Sequence, residues 1–122
     1  MSGNENLDLT FLFEIADGSN EFIVESIDMF MQQTPDLLNV IEKSIADSDW
    51  QGVGASAHKL KPNLGFFGMN DCQGYMQDIE NMAKTQFPDA NQLSAKFGAA
   101  KAIVTGNMPK LQQIKATAEA NL

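Results

Sequence analysis

The sequence predicts an all-α protein, an up-down antiparallel four-helix bundle with extra terminal helices. Apolar residues recur at the three- and four-residue spacing of amphipathic helices, and no stretch keeps the two-residue alternation of a strand. Clusters of Gly, Pro, Asp and Ser divide the helical stretches with short connections, which favour antiparallel neighbours. The length of 122 residues suits a single domain, residues 1–122, around one core.

Three helices are predicted in the first part of the chain. The first runs from Leu7 to Ala16 and ends at Asp17-Gly18. Ser19 is a suitable N-cap for the second, because its side chain can accept a hydrogen bond from the first turn. The order Thr34-Pro35-Asp36 gives a cap residue, a proline and an acid, so it predicts the start of a third helix.

The fourth predicted helix contains the only histidine of the chain. Residues 47–49, Asp-Ser-Asp, end the third helix and cap this one, which begins at Trp50 and runs to about Phe66. Asn70 or Asp71 is expected to cap the fifth helix.

The last predicted helical region follows Phe87-Pro88-Asp89. Gly106 and Pro109 interrupt its apolar pattern, which then resumes. The sequence leaves open whether this region is one kinked helix or two.

Composition excludes several classes of function and setting. A formal net charge of −8 with no arginine argues against binding to nucleic acid or clamping phosphate with guanidinium groups. No apolar run approaches the roughly 20 residues needed to span a bilayer, so no membrane association is expected. The polar N-terminus, residues 1–6, does not resemble a secretory signal, and the single cysteine, Cys72, suits a cytoplasmic location.

The position of His58 on its helix predicts that the imidazole faces solvent. At about 100° per residue, the small or polar residues around it lie within roughly 60°. They are Gly54, Ala55, Lys61, Pro62 and Gly65. An apolar stripe occupies the far side of the same helix and predicts its buried face. It consists of Val53, Ala57, Leu60, Leu64 and Phe67.

Several interpretations of this histidine compete. An exposed histidine without a function is common, and the helical wheel alone does not exclude it. One histidine and one cysteine cannot form a conventional metal site, so no metal and no cofactor are expected. No nucleophile motif accompanies His58 for hydrolysis. Ser48 follows an aspartate as in phosphopantetheine carriers, but Asp49 replaces the expected aliphatic residue and Ser48 also serves as a helix cap.

Nucleophilic attack by the imidazole on a phosphoryl group is the chemistry that this face favours. A neutral ring nitrogen can attack phosphorus in a group that a partner protein presents, and the product carries negative charge. Lys61 lies one turn along the same face, where its ammonium can offset that charge. A solvated helix face explains Lys59 and Lys61 equally well on composition alone.

The residues around the histidine resemble the signature of histidine-containing phosphotransfer (HPt) domains, four-helix-bundle relays of multistep two-component signalling. The similarity consists of Ala57-His58-Lys59-Leu60-Lys61 with Gly68 ten residues after the histidine. Asp49-Trp50, and the upstream Phe30, Thr34-Pro35 and Leu37-Leu38, also fit the family pattern. The resemblance covers roughly residues 20–84.

This resemblance implies a role for each matching residue. His58 would be the phosphoacceptor and Lys61 the cation that pairs with the phosphoryl group. Glu80 and Lys84 fall where family members often place polar residues that face the histidine. A carboxylate at position 80 can accept from the ring N–H and turn the other nitrogen outward, although an ordinary surface glutamate is an equal alternative. The predicted binding residues are Lys59, Pro62, Gly65, Glu80 and Lys84.

Pro62 departs from the family pattern, which has glycine there. Proline lacks the N–H that would bond the carbonyl of His58, and its ring crowds that carbonyl. The sequence therefore predicts a local bend beside the histidine, with the His58 carbonyl free to bond water or a partner.

The predicted function is that of a phosphorelay intermediate without a nucleotide site, and hence not an enzyme in the usual sense. The resemblance implies that His58 accepts a phosphoryl group from the receiver domain of a hybrid sensor kinase. It then passes the group to the receiver domain of a response regulator. A monomer suffices for this. The alternative is a helical binding module that transfers nothing, either an HPt-like adaptor or a helix-in-groove adaptor.

Overall fold

The computed structural model describes residues 7–122, and these residues form helices and no strand. The sequence prediction of an all-α fold is confirmed. The N-terminal residues 1–6, on which the prediction about a secretory signal rests, lie outside the described part. Within residues 7–122, five helices follow one another. They are α1 (Thr10–Ala16), α2 (Asn20–Ala46), α3 (Trp50–Phe66), α4 (Asn70–Ala83) and α5 (Ala90–Ala120).

The four longer helices close into a bundle. Helix α3 packs against α2 and α4, and α5 packs against α4 and α2, so each of these helices has two neighbours within the four-helix ring. Helices α2 and α5 run antiparallel, because Asp28 pairs with Lys115 near one end of their interface and Glu42 pairs with Lys101 toward the other. The short α1 packs on α2 outside the four-helix ring.

The buried stripe predicted for the histidine helix is confirmed. Its five members, Val53, Ala57, Leu60, Leu64 and Phe67, are all at most 3 % exposed. Asp49 caps the helix by accepting a hydrogen bond from the backbone N–H of Gly52. Ser19 caps α2 in the same way through the N–H of Phe22.

The predicted third helix does not exist as a separate element. Helix α2 continues through Thr34 and Pro35 to Ala46. Phe30, Thr34, Leu38 and Ile41 are buried in one stripe on both sides of the proline. Packing of this stripe therefore outweighs the loss of one backbone hydrogen bond at Pro35. Helix α5 likewise continues through Gly106 and Pro109, so the last helical region is one helix rather than two.

Two predicted helix starts are corrected. Helix α1 begins at Thr10 rather than Leu7, because the N–H of Asp8 bonds the carbonyl of Phe67 and its side chain accepts from the N–H of Thr10. Helix α4 begins at Asn70, but Met69 occupies its N-cap position and no side chain provides the cap. Met69 is fully buried, so packing determines this start.

Candidate functional site

The histidine lies in the middle of α3 with its side chain 68 % exposed. Its neighbour Ala57 and the following Leu60 are completely buried, and they hold this face of α3 against the core. The burial of Ala57 and Leu60 turns His58 outward, although Gly54, which the wheel places on the His58 face, is buried as well. This is the orientation that the helical wheel predicts.

Glu80 on α4 contacts the imidazole directly. Its Oε2 lies 3.1 Å from Nδ1 of His58, and its side chain is only 8 % exposed. Met76, Ile79 and Ala83 are buried on the same helix and bring the Glu80 face of α4 against α3. Glu80 is therefore not the ordinary surface glutamate that the sequence left as an alternative.

Two lysines neutralise this buried carboxylate. The ammonium of Lys61 lies 2.7 Å from Oε1, and that of Lys84 lies 3.2 Å from Oε2. The pKa of Glu80 is lowered to about 2, chiefly because Lys61 donates a charged hydrogen bond; burial opposes this shift and Lys84 adds to it. Glu80 is thus a carboxylate at neutral pH, able to accept hydrogen bonds but not to donate them.

Lys61 makes a second short contact, to a residue that the sequence analysis did not single out. Its ammonium donates to Oε1 of Gln77 at 2.7 Å, and its side chain is 19 % exposed. Lys84, in contrast, is 67 % exposed. The signal for Gln77 was present in the sequence, because it lies three residues before Glu80 and so shares its helix face.

The remaining predicted binding residues surround the histidine on α3. Lys59 is exposed and lies beside His58 in a cleft of about 650 Å³ between α3 and α4. The cleft extends from His58 toward Trp50, Gly54 and Ala83, which are also outside the predicted set.

Pro62 and Gly65 lie on the other side of the histidine along α3. Pro62 lines a second, more polar cleft together with His58, Asn70 and Gln73. Gly65 packs against Gln73, whose Nε2 lies 2.5 Å from the position of a Cβ there, and Gln73 also donates to the carbonyl of Lys61 at 3.2 Å. Helix α3 continues through Pro62, and the bend predicted at this point stays a prediction.

Other features of the described residues bear on chemistry and setting. Residues 7–122 contain no group of three or more His, Cys, Asp and Glu side chains arranged to hold a metal ion. Cys72 is buried, and desolvation, with a contribution from Asp71, raises the pKa of its thiol to about 11. Nor does any helix in this range combine the length and apolar character needed to span a bilayer.

The site therefore presents one nucleophile to solvent. Nε2 of His58 is the ring nitrogen away from Glu80, whose carboxylate pairs with the ammonium groups of Lys61 and Lys84, and Lys59 lines the cleft beside the ring. An exposed imidazole held at Nδ1 can accept a transferred group at Nε2.

Comparison with known families agrees with this chemistry. The family model described as "Hpt domain" matches residues 25–119, which include α3, α4 and most of α2 and α5. Comparisons with curated proteins and with solved structures gave no significant match. Hpt domains are carriers that take part in histidine phosphotransfer in phosphorelays and have receiver domains of two-component proteins as partners. Because the match covers more than half of the sequence, the chain belongs to the Hpt domain family.

Proposed function

We propose that His58 accepts a phosphoryl group from an aspartyl phosphate of one receiver domain and passes it to the aspartate of another. The observation that carries this proposal is the exposed imidazole whose Nδ1 lies 3.1 Å from a buried carboxylate. The donor belongs to a hybrid sensor kinase and the acceptor to a response regulator. The protein works as a cytoplasmic monomer, a setting that its single cysteine suits.

In the accepting step, the lone pair of Nε2 attacks phosphorus and forms the N–P bond. The P–O bond to the donor aspartate breaks, and the aspartate leaves as a carboxylate. The ring keeps the proton on Nδ1 and gains positive charge, which the carboxylate of Glu80 offsets at 3.1 Å. The second step is the reverse, with the aspartate of the acceptor as nucleophile.

Charges around the histidine support the transfer. The lysines at positions 59, 61 and 84 give the site a local positive character within an acidic protein, where the phosphoryl oxygens and the acidic pocket of a receiver would approach. Phosphoryl transfer depends mainly on positioning and charge stabilisation, and the receiver brings its own metal ion.

Labelling tests the proposal. A receiver domain labelled with [32P]acetyl phosphate is mixed with wild-type protein and with His58→Gln, and phosphoramidate serves as a donor that needs no partner. We expect an acid-labile, base-stable label on the wild type only. Equal labelling of His58→Gln would refute the assignment to His58, and no label from either donor would favour the binding-only module.

A further inference from the structure

Lys61 is engaged by two side chains of α4 in the unmodified protein. Its ammonium lies 2.7 Å from Oε1 of Glu80 and donates to Gln77 at 2.7 Å, and only 19 % of its side chain is exposed. His58, whose Nε2 points away from Glu80, is 68 % exposed. The cation expected to stabilise the phosphoryl group is therefore already paired when the histidine is unmodified.

A carboxylate and a phosphoryl group attract the same cation. A phosphoryl group on Nε2 adds about −1.5 to −2 charges at neutral pH, next to one carboxylate and two ammonium groups. Glu80 has the shorter side chain and is only 8 % exposed, whereas the ammonium of Lys61, on a four-carbon side chain, can reorient.

We propose that Glu80 competes with the phosphoryl group for Lys61 and so keeps that group weakly held on His58. This inference rests on the proposed function. Glu80 then acts through both of its oxygens: Oε2 orients the imidazole, and Oε1 retains Lys61. Glu80 is in this respect a positioning residue that acts through Lys61.

Weak retention suits a carrier. A strongly stabilised phosphohistidine would be a deep intermediate, because an interaction that stabilises the phosphohistidine more than the transition state raises the barrier to the next transfer. Lys84 stays exposed and pairs with Oε2, so it does not replace Lys61 at Oε1. Removing the charge of Glu80 should release Lys61 to the phosphoryl oxygens.

The test is a double-mutant cycle on protein phosphorylated with phosphoramidate, in which the P–N bond of the donor breaks, the bond from phosphorus to Nε2 forms and ammonia leaves. Glu80→Gln keeps an oxygen that can accept from Nδ1–H but removes the charge. We expect it to slow the loss of the phosphoryl group to a receiver domain about threefold to tenfold and to lower the phosphoryl pKa seen by 31P NMR. In a Lys61→Ala background both effects should fall by at least half.

The matched control is Asp78→Asn. Asp78 lies on α4, two residues from Glu80, and pairs with Lys96 rather than Lys61. The Asp78→Asn substitution also removes one negative charge from α4, and it should leave both the transfer rate and the phosphoryl pKa unchanged. An equal effect of Asp78→Asn, or an effect of Glu80→Gln that persists in full without Lys61, would overturn the inference while leaving the function of His58 intact.

A side-chain NMR measurement compares the unsubstituted protein with Glu80→Gln. On phosphorylation, the signal of the Lys61 side-chain Cε should shift little in the unsubstituted protein, because Glu80 retains the ammonium, and should shift further in Glu80→Gln. The signal of Lys96, paired with Asp78 at 2.9 Å, should shift in neither. If the Lys61 signal shifts as far in the unsubstituted protein as in Glu80→Gln, the inference fails. If no label reaches His58 at all, both the inference and the proposed function fail.

Discussion

Nδ1 of His58 lies 3.1 Å from Oε2 of Glu80, although the two residues belong to different helices and are 22 positions apart. Glu80 has a pKa of about 2 and is ionised at neutral pH, so it can only accept at this contact. The proton of the neutral imidazole must therefore lie on Nδ1, which leaves the lone pair of Nε2 facing solvent.

The tautomer of His58 is the first prediction. In 15N NMR spectra of the unphosphorylated protein, the neutral ring should carry its proton on Nδ1. Glu80→Ala should abolish this preference and slow labelling from a phosphorylated receiver by about tenfold to a hundredfold, as for other groups that orient a histidine. Asp78→Ala removes a carboxylate from the same helix without touching the ring and should change neither quantity.

Acid should weaken the fold through Glu80. Because its pKa is lowered from 4.5 to about 2 in the folded protein, its contribution to stability is present above pH 4.5 and is lost as the pH falls from 4.5 toward 2. The difference in the free energy of unfolding between wild type and Glu80→Gln should shrink over this range. Chemical unfolding at pH 6 and pH 3 measures it, with Asp78→Asn as the control. A constant difference would contradict the ion pairing of Glu80 with Lys61 and Lys84.

Gly68 should not tolerate a side chain. Its φ is +70°, and a Cβ there would overlap the backbone carbonyl of Asp8, which approaches from the segment before α1. Gly68→Ala should lower the free energy of unfolding by about 2 kcal/mol or more.

Gly98→Ala provides the matched control for that substitution. Gly98 lies inside α5, and a Cβ there meets no atom within 4 Å. This variant should gain about 0.5–1 kcal/mol because alanine is the better helix former. Urea unfolding of both variants measures these changes in stability. An unchanged midpoint for Gly68→Ala would contradict the close approach of Asp8.

Pro62→Ala should stabilise the protein. Proline inside a helix costs a hydrogen bond and a steric clash with the preceding turn, and position 62 lies within α3. Restoring an N–H to bond the carbonyl of His58 should raise the free energy of unfolding by about 1–3 kcal/mol. Part of this gain is offset because the unfolded chain is more flexible with alanine than with proline. Crystal structures of both forms should show a bend in the wild type that straightens in the variant. A wild-type helix that is already straight would refute the predicted bend.

The sequence allowed the histidine helix to be predicted well, because its signals are local. Asp49 caps the helix, the buried stripe repeats at helical spacing, and the wheel position of His58 follows from these alone. Thr34-Pro35 was misleading for the opposite reason. Proline is favoured in the first turn of a helix and disfavoured in the interior, so the local pattern predicted a helix start that the tertiary packing of α2 overrides.

The contacts of Glu80 could not be predicted without knowledge of the fold. Its position one residue after the buried Ile79 and four after the buried Met76 is compatible with either burial or exposure. The pairing of its Oε1 with Lys61 depends on how α3 and α4 align, and sequence spacing within one helix cannot give that alignment. The sequence analysis therefore did not predict that Lys61 pairs with Glu80 in the unphosphorylated protein, and the pairing of Lys61 with a phosphoryl group stays a prediction.

The midpoint location of His58 has one more consequence. Eight residues of α3 precede it and eight follow, from Trp50 to Phe66. The partial charges of a helix terminus act within about one turn, so neither end of the α3 dipole reaches the imidazole. The field at the nucleophile is therefore generated by side chains, chiefly Glu80 and its two lysines. Point substitutions can retune it in either direction while the backbone that presents the nucleophile stays the same.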